Sequence, residues 1–377
     1  MPASADNAPL LGPRSALMCL AVATLALFSV GFSTPACAQQ TAGVQTHLLW
    51  GGVDEADVSE QLDRTVASGA GIIRLDVGWA SLQPGARGEW SQWALDRLDH
   101  VIAEANERGL RVLATFWQSP CWASTAPASR KQGCAGAWWE RGVQLHTPKD
   151  ADDYASALAT LVDRYGSRVD SWEIWSEPNG RASYRAKRTV RSYVDLTKSA
   201  YTAAKAVDPT TTIVAGALMW ADKRFTSRLY RAGIKGYFDA FSIHPYSDDR
   251  SPLAAGDDQY VRGSFIRGVP AVRDLMERRG DPKPLWLTEF GWSTTNVRNS
   301  ANWLNGVGEG TQARFVTEAL GQIQKWPYVD VAIYFKLADT SSDPADTVAN
   351  FGLLSYNGNP KPAYEAFQAA AQPFDGP

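Results

Sequence analysis

Two glutamates close strand-like runs, and their surroundings mark them as the residues best placed to do chemistry. The first run is Ser171-Trp172-Glu173-Ile174-Trp175-Ser176-Glu177-Pro178-Asn179; the second is Pro284-Leu285-Trp286-Leu287-Thr288-Glu289-Phe290-Gly291-Trp292. Both are apolar and β-prone, and each ends in a breaker, Pro178 or Gly291. A carboxylate at the mouth of a strand is costly to place unless it is paired or used. Two of them in aromatic surroundings are the equipment for cleaving a bond between sugars. One protonates the leaving oxygen and the other attacks or stabilises the anomeric carbon. The plainer reading is a pair of strand-end salt bridges, which explains either glutamate alone better than both together. Alternation places Glu173, Trp175 and Glu177 on one face of their strand, and Leu285, Leu287 and Glu289 on one face of theirs. Glu173 then lies deeper, needs a cation or hydrogen-bond donor, and reads as structural.

The elements that must hold these residues alternate along the chain. Candidate strands are Thr46–Val53, Gly71–Val77, Arg111–Trp117, Asp170–Trp175, Thr212–Leu218, Phe238–Pro245, Leu285–Glu289 and Val331–Phe335. Helical spacing fills the gaps: Val58, Leu62 and Val66 share a face, as do Leu95, Leu98 and Ile102. Leu158, Leu161 and Val162 mark a third helix, and Tyr193, Leu196 and Ala200 a fourth. Arg224–Ala232, Val269–Arg279, Gln312–Gln324 and Ala363–Ala371 follow the later strands. Eight strands alternating with eight helices predict an α/β fold, a (β/α)8 TIM barrel. The long connections Gln118–Lys149, Ser293–Gly310 and Lys336–Lys361 follow strands three, seven and eight. They open on the C-terminal face of the barrel, the face that carries both glutamates.

The 377 residues carry a net charge of −3, which gives no reason to expect a nucleic-acid partner. Arg14, an apolar stretch from Ala16 to Phe32 and the small-x-small site Ala36-Cys37-Ala38 read as a signal peptide over 1–38. Cleavage is expected after Ala38, with the barrel domain over 39–377 and a secreted or periplasmic product. An uncleaved anchor is the alternative. Beyond the leader only Cys121 and Cys134 remain, and in an exported chain they most simply pair with each other; two free thiols are the alternative. His47, His100, His146 and His244 show no ligand spacing, so no catalytic metal is expected, and no cofactor. A monomer is expected.

The strand-end motifs resemble the clan A retaining glycoside hydrolases, of the family 39 and family 5 type. Trp172-Glu173-Ile174-Trp175-Ser176-Glu177-Pro178-Asn179 is similar to the clan's acid/base strand four, and Thr288-Glu289-Phe290-Gly291-Trp292 to its nucleophile strand seven. The ending Phe351-Gly352-Leu353-Leu354 with Asn359-Pro360-Lys361-Pro362-Ala363-Tyr364 is similar to the last turn and helix of those barrels. The resemblance implies a glycosidase with Glu177 as acid/base and Glu289 as nucleophile. It implies Arg74 as the strand-two arginine and His244 and Tyr246 as the strand-six pair, with Tyr246 donating to Glu289 and His244 near Glu177. Three positions depart from the pattern. Ser176 stands where the clan has Asn, strand three ends Phe116-Trp117-Gln118 without a histidine, and strand eight ends Phe335-Lys336 without a tryptophan.

Candidate substrate-binding residues are therefore Arg74, Ser176, His244, Tyr246, Trp220 and Trp292. The other strand-end and loop indoles, Trp79, Trp122, Trp138 and Trp139, are packing or platform. Arg181, Arg185, Lys187, Arg188 and Arg191 form either a solvated helix start or a receiver for an anionic sugar. The substrate expected is a polysaccharide or oligosaccharide. A carbohydrate-binding pseudoenzyme and a transglycosylase are the alternatives.

Overall fold

The computed structural model describes residues 40–255, 263–298 and 305–374. The signal-peptide expectation falls outside these residues. Eight parallel strands close into a barrel in sequence order. They are β1 (Thr41–Thr46), β2 (Ile72–Gly78), β3 (Arg111–Trp117), β4 (Ser171–Ile174), β5 (Thr212–Met219), β6 (Ala240–His244), β7 (Leu285–Phe290) and β8 (Val329–Tyr334). One main helix follows each strand: α1 (Glu55–Ala67), α2 (Gln92–Glu107), α3 (Ala151–Tyr165), α4 (Thr189–Val207), α5 (Lys223–Arg231), α6 (Phe265–Arg278), α7 (Glu309–Ile323) and α8 (Pro362–Ala371). This is the expected (β/α)8 barrel.

The first strand lies earlier than its sequence position suggested, at Thr41–Thr46 rather than Thr46–Val53. The apolar Leu48-Leu49-Trp50 cluster reads as more β-prone, but it belongs to the loop beyond the strand. Gly43 tells why the earlier stretch can pair. A Cβ there would stand 2.2 Å from the Ile72 carbonyl oxygen, so only glycine lets β1 sit against β2. In α1, Thr65 rather than Val66 completes the buried face, and Val66 is exposed. Asp54 caps this helix by accepting from the Asp57 N–H, and the Asp57 side chain returns the bond.

Inside the barrel the floor is apolar, formed by Ile72, Leu113, Val214, Ala240, Trp286, Val331 and Ile333. Above it lies a buried polar layer. Glu173 accepts from Arg74 Nε at 2.9 Å, Thr115 Oγ1 at 2.8 Å and Ser242 Oγ at 2.7 Å. Glu173 is thus the buried, fully partnered carboxylate expected of a structural residue.

Simple alternation fails at both strand ends. Trp175 does not share the inward face of Glu173: its φ is 64°, and the left-handed turn swings the indole outward against Tyr154 and Tyr184. On β7, Trp286 faces the barrel interior while Leu285 and Leu287 pack outside. Glu289 nevertheless reaches the mouth, because the β7–β8 register shifts between Leu287 and Phe290.

The loop after β3 carries the Cys121–Cys134 disulfide, with Cα atoms 5.7 Å apart. Cys121 packs with Ala80, Ala126, Trp138 and Val143 in a small satellite core. Among the described residues no helix is long and apolar enough to cross a membrane.

Candidate active site

A cleft of about 650 Å³ opens at the C-terminal ends of the strands, and Glu177 and Glu289 both line it. Glu289 is the more strongly held. Arg74 Nη1 donates to its Oε1 at 2.7 Å and the Tyr246 hydroxyl to its Oε2 at 2.9 Å. Glu177 has weaker partners: the Ser183 hydroxyl donates to its Oε2 at 3.3 Å, and His244 Nδ1 lies 3.2 Å from its Oε1. His244 Nδ1 also lies 3.4 Å from Glu289 Oε2, so one imidazole nitrogen stands between the carboxylates. An oxygen of Glu177, an oxygen of Glu289 and a nitrogen of His244 all lie within 4.8 Å of one another.

The groups behind this pair have their proton affinities set by clear electrostatic causes. Burial opposes the Arg74 charge, but Glu173, Glu289 and Asp76 outweigh it and hold the guanidinium above its ordinary range. Burial also pulls His244 down, while Glu289 and Glu177 raise it further and leave its pKa above the ordinary histidine value. Burial, then Glu289 and Glu177, push the Tyr246 phenol well up, so it stays a proton donor.

The backbone around the cleft is held in uncommon conformations. Gln118, Glu177, Trp220 and Asp248 all line the cleft and have φ of 69°, 48°, 57° and 59°. Such residues cost on the order of 1–3 kcal/mol each and persist only where neighbours fix them. At Glu177 those neighbours are visible. Its N–H donates to the Ala217 carbonyl at 2.9 Å. Asn179 clamps the end of β5, donating to the Met219 carbonyl at 3.0 Å and accepting from the Met219 N–H at 2.9 Å.

The candidate residues divide cleanly. Ser176, Trp220 and Tyr246 line the cleft with the two glutamates. Arg74 and His244 are fully buried behind the carboxylates and reach the cleft only through them. Trp292 is a correction. It is 1 % exposed, its Nε1 donates to the Arg250 carbonyl at 2.9 Å, and its ring packs on Phe315, so it is core and not a sugar platform. Trp79 and Trp138 are core as well, and Trp122 donates to the Gln83 carbonyl at 2.8 Å. Sequence reasoning missed His47, Trp50, Asp76, Trp117 and Lys336, which also line the cleft. The chemistry of His47 and Asp76 at the ends of β1 and β2 was the available signal. A second cavity of about 400 Å³ continues the cleft past Trp50, Asp76, Trp117 and Gln118 toward Trp93.

Asp76 sets a pH dependence. Burial pushes its carboxyl up to about 6, with Glu289 and Glu173 adding to the rise and Arg74 opposing it. The folded value lies above the ordinary 3.8, so its stabilisation is full below that value and is lost as the pH rises through about 6. Thermal melts of the wild type and Asp76→Asn across this window should show the wild type losing Tm relative to the variant. Parallel curves would contradict the raised carboxyl of Asp76.

The comparisons with known proteins agree with this geometry. Residues 31–316 match the cellulase family, glycosyl hydrolase family 5; β8 lies beyond the matched stretch. The chain is 28% identical over 245 residues to a beta-xylosidase of Caldicellulosiruptor saccharolyticus, covering 59% of this chain and 46% of that protein. The chain thus spans less than half of this relative's length. Its fold is similar to a family 39 glycoside hydrolase from Bacteroides cellulosilyticus, with TM-score 0.70 and 21% identity over 90% of this chain and 65% of that one. It is also similar to a monomeric beta-xylosidase from Caulobacter crescentus, with TM-score 0.64 and 18% identity over 88% and 67%. A family 5 enzyme of subfamily 18 from Bifidobacterium longum gives TM-score 0.60 and 18% identity over 88% and 78%. With the family matched over three quarters of its length, and the fold shared with clan A enzymes, the chain belongs to glycosyl hydrolase family 5.

Proposed function

We propose that this chain is an exported, retaining glycosidase that cleaves β-glycosidic bonds of an oligosaccharide or polysaccharide by double displacement. The observation that carries the reading is the close pair of unlike carboxylates. Oxygens of Glu177 and Glu289 lie within 4.8 Å of each other, in keeping with the roughly 5–5.5 Å carboxyl separation of retaining enzymes and short of the roughly 6.5–9.5 Å of inverting ones.

Glu289, fixed by Arg74 and Tyr246, attacks the anomeric carbon as the bond to the leaving oxygen breaks. Glu177 gives its proton to that oxygen. A water then replaces the leaving group, Glu177 takes its proton, and the water oxygen displaces Glu289 from the anomeric carbon. Arg74, Tyr246 and His244 act as positioning residues. Ser176 and Trp220 contact the sugar. The continuation of the cleft toward Trp93 supports a substrate longer than one sugar. The disulfide supports an oxidising compartment and hence export.

A panel of plant and bacterial glycans tests the reading. Reducing ends should appear with wild-type protein and not with Glu289→Gln. Binding without release by either protein would favour a carbohydrate-binding role, and products longer than the substrate would favour transfer.

A further inference from the structure

Lys336 stands just past β8 and lines the catalytic cleft with His47, Phe335 and Thr340. Its side chain is buried, with the residue 1 % exposed. Its Nζ donates to Thr340 Oγ1 at 2.7 Å, one acceptor for an ammonium that carries three donors. The nearby acid Asp339 is already committed. Its Oδ2 lies 2.6 Å from Lys361 Nζ, and its Oδ1 accepts the Gly352 N–H at 2.7 Å. Among the described residues no carboxylate forms an ion pair with Lys336.

The charges around it define the electrostatics. Burial pushes Lys336 down to about 8, while Asp339 and Asp346 pull it up and Lys361 pushes it further down. His47, across from it at the end of β1, is pushed down to about 3, by burial first and then by Lys336 and Arg74. His47 is therefore a neutral imidazole close to the ammonium. This end of the cleft offers a cation with unused donors, a neutral ring nitrogen and a hydroxyl. A buried ammonium held by one hydroxyl, with its nearest acids outside direct ion-pair contact, is costly, and a ligand that brings a carboxylate into contact recovers part of that cost.

We propose that the glycan bound in this cleft carries a sugar carboxylate, and that Lys336, flanked by His47 and Thr340, is the residue that selects it. The inference rests on the glycosidase reading and names its substrate class.

The test uses para-nitrophenyl β-D-glucuronide and β-D-galacturonide, the matching neutral glucoside and galactoside, and an O-sulfated glucoside. Wild-type protein, Lys336→Met and Lys336→Arg are compared. For at least one uronide, kcat/KM should exceed that of its neutral partner on the order of a hundredfold. Lys336→Met should erase this ratio and Lys336→Arg should keep most of it. In the wild type, kcat/KM for the uronide should fall as the pH rises through about 8, where Lys336 loses its proton. The neutral substrate and Lys336→Met should lack this limb. Neutral glycosides cleaved as well as uronides, or a ratio that Lys336→Met leaves intact, would overturn the proposal. A greater gain with the sulfated sugar would replace the carboxylate by sulfate and overturn it also. If no glycoside is cleaved, the glycosidase reading fails by itself. Calorimetry then decides the charge preference: D-glucuronate should bind the wild type more tightly than D-glucose and more tightly than it binds Lys336→Met, and equal affinities would overturn it.

Discussion

Replacing Glu289 with alanine should abolish turnover, lowering kcat/KM by on the order of 10⁴–10⁶-fold, the scale seen when the nucleophile of a covalent mechanism is removed. The fold should survive, because Arg74 keeps its ion pair with Glu173, with Nε at 2.9 Å and Nη2 at 2.8 Å from the same carboxylate oxygen. The deletion leaves a space beside the anomeric carbon that a small anion can fill. Sodium azide should therefore restore activity on activated aryl glycosides and give a glycosyl azide of inverted configuration. Glu177→Ala should behave differently. Substrates with good leaving groups need no proton, so they should lose far less than natural ones, and azide should yield a product of retained configuration. Proton NMR of the azide products separates the two outcomes. Azide products of the same configuration from both variants would contradict the separate roles.

Replacing Arg74 with methionine should be the most damaging change to stability, at about 3–5 kcal/mol, because it strands buried carboxylates. Arg74 is 1 % exposed, and its guanidinium bonds Glu173, Glu289 and Gln45, the last at 2.7 Å. A fall in Tm on the order of 10 °C is expected. The double variant Arg74→Met with Glu173→Gln should recover part of it by removing the orphaned charge. The pH dependence has a definite sign. Burial pushes Glu173 up, but Arg74, His244 and the bond from the Ser242 hydroxyl outweigh this and hold it below its ordinary 4.5. Its stabilisation is present above that value and is lost as the pH falls through the lower folded one. Wild type should lose stability there, and Arg74→Met should lose less. Equal Tm values for wild type and Arg74→Met would contradict the buried ion network.

Much of this was legible in the sequence because the barrel repeats one unit, and alternating strand and helix patterns locate seven strands within a few residues. The histidine–tyrosine pair and the two glutamates sit at or just past strand ends, where sequence position nearly determines place, and Arg74 lies one layer deeper within β2. What failed depended on irregular backbone. Thr41–Thr46 is a weaker β-former than its apolar neighbour, and nothing local in the sequence shows that Gly43 must fit beneath Ile72. The helix expected over Val269–Arg279 begins earlier: α6 starts at Phe265 and tolerates Pro270 within its second turn. Left-handed Trp175 and the shifted β7 register break the simple strand alternation at both ends. Trp292 illustrates the limit for indoles. Its type and its position beside Glu289 suit a platform, and only the packing of α7 against it shows that it is core.

The central claim is that Glu289 forms a covalent bond to the sugar. It is tested most directly by incubating wild-type protein with a 2-deoxy-2-fluoro β-glycosyl fluoride of a sugar that the protein cleaves, then digesting the protein and sequencing the labelled peptide by mass spectrometry. The account predicts one sugar per chain, attached to Glu289 within Thr288-Glu289-Phe290, with Glu177 unlabelled. A label on any other carboxylate, or no adduct together with a first-formed product of inverted configuration, would contradict it.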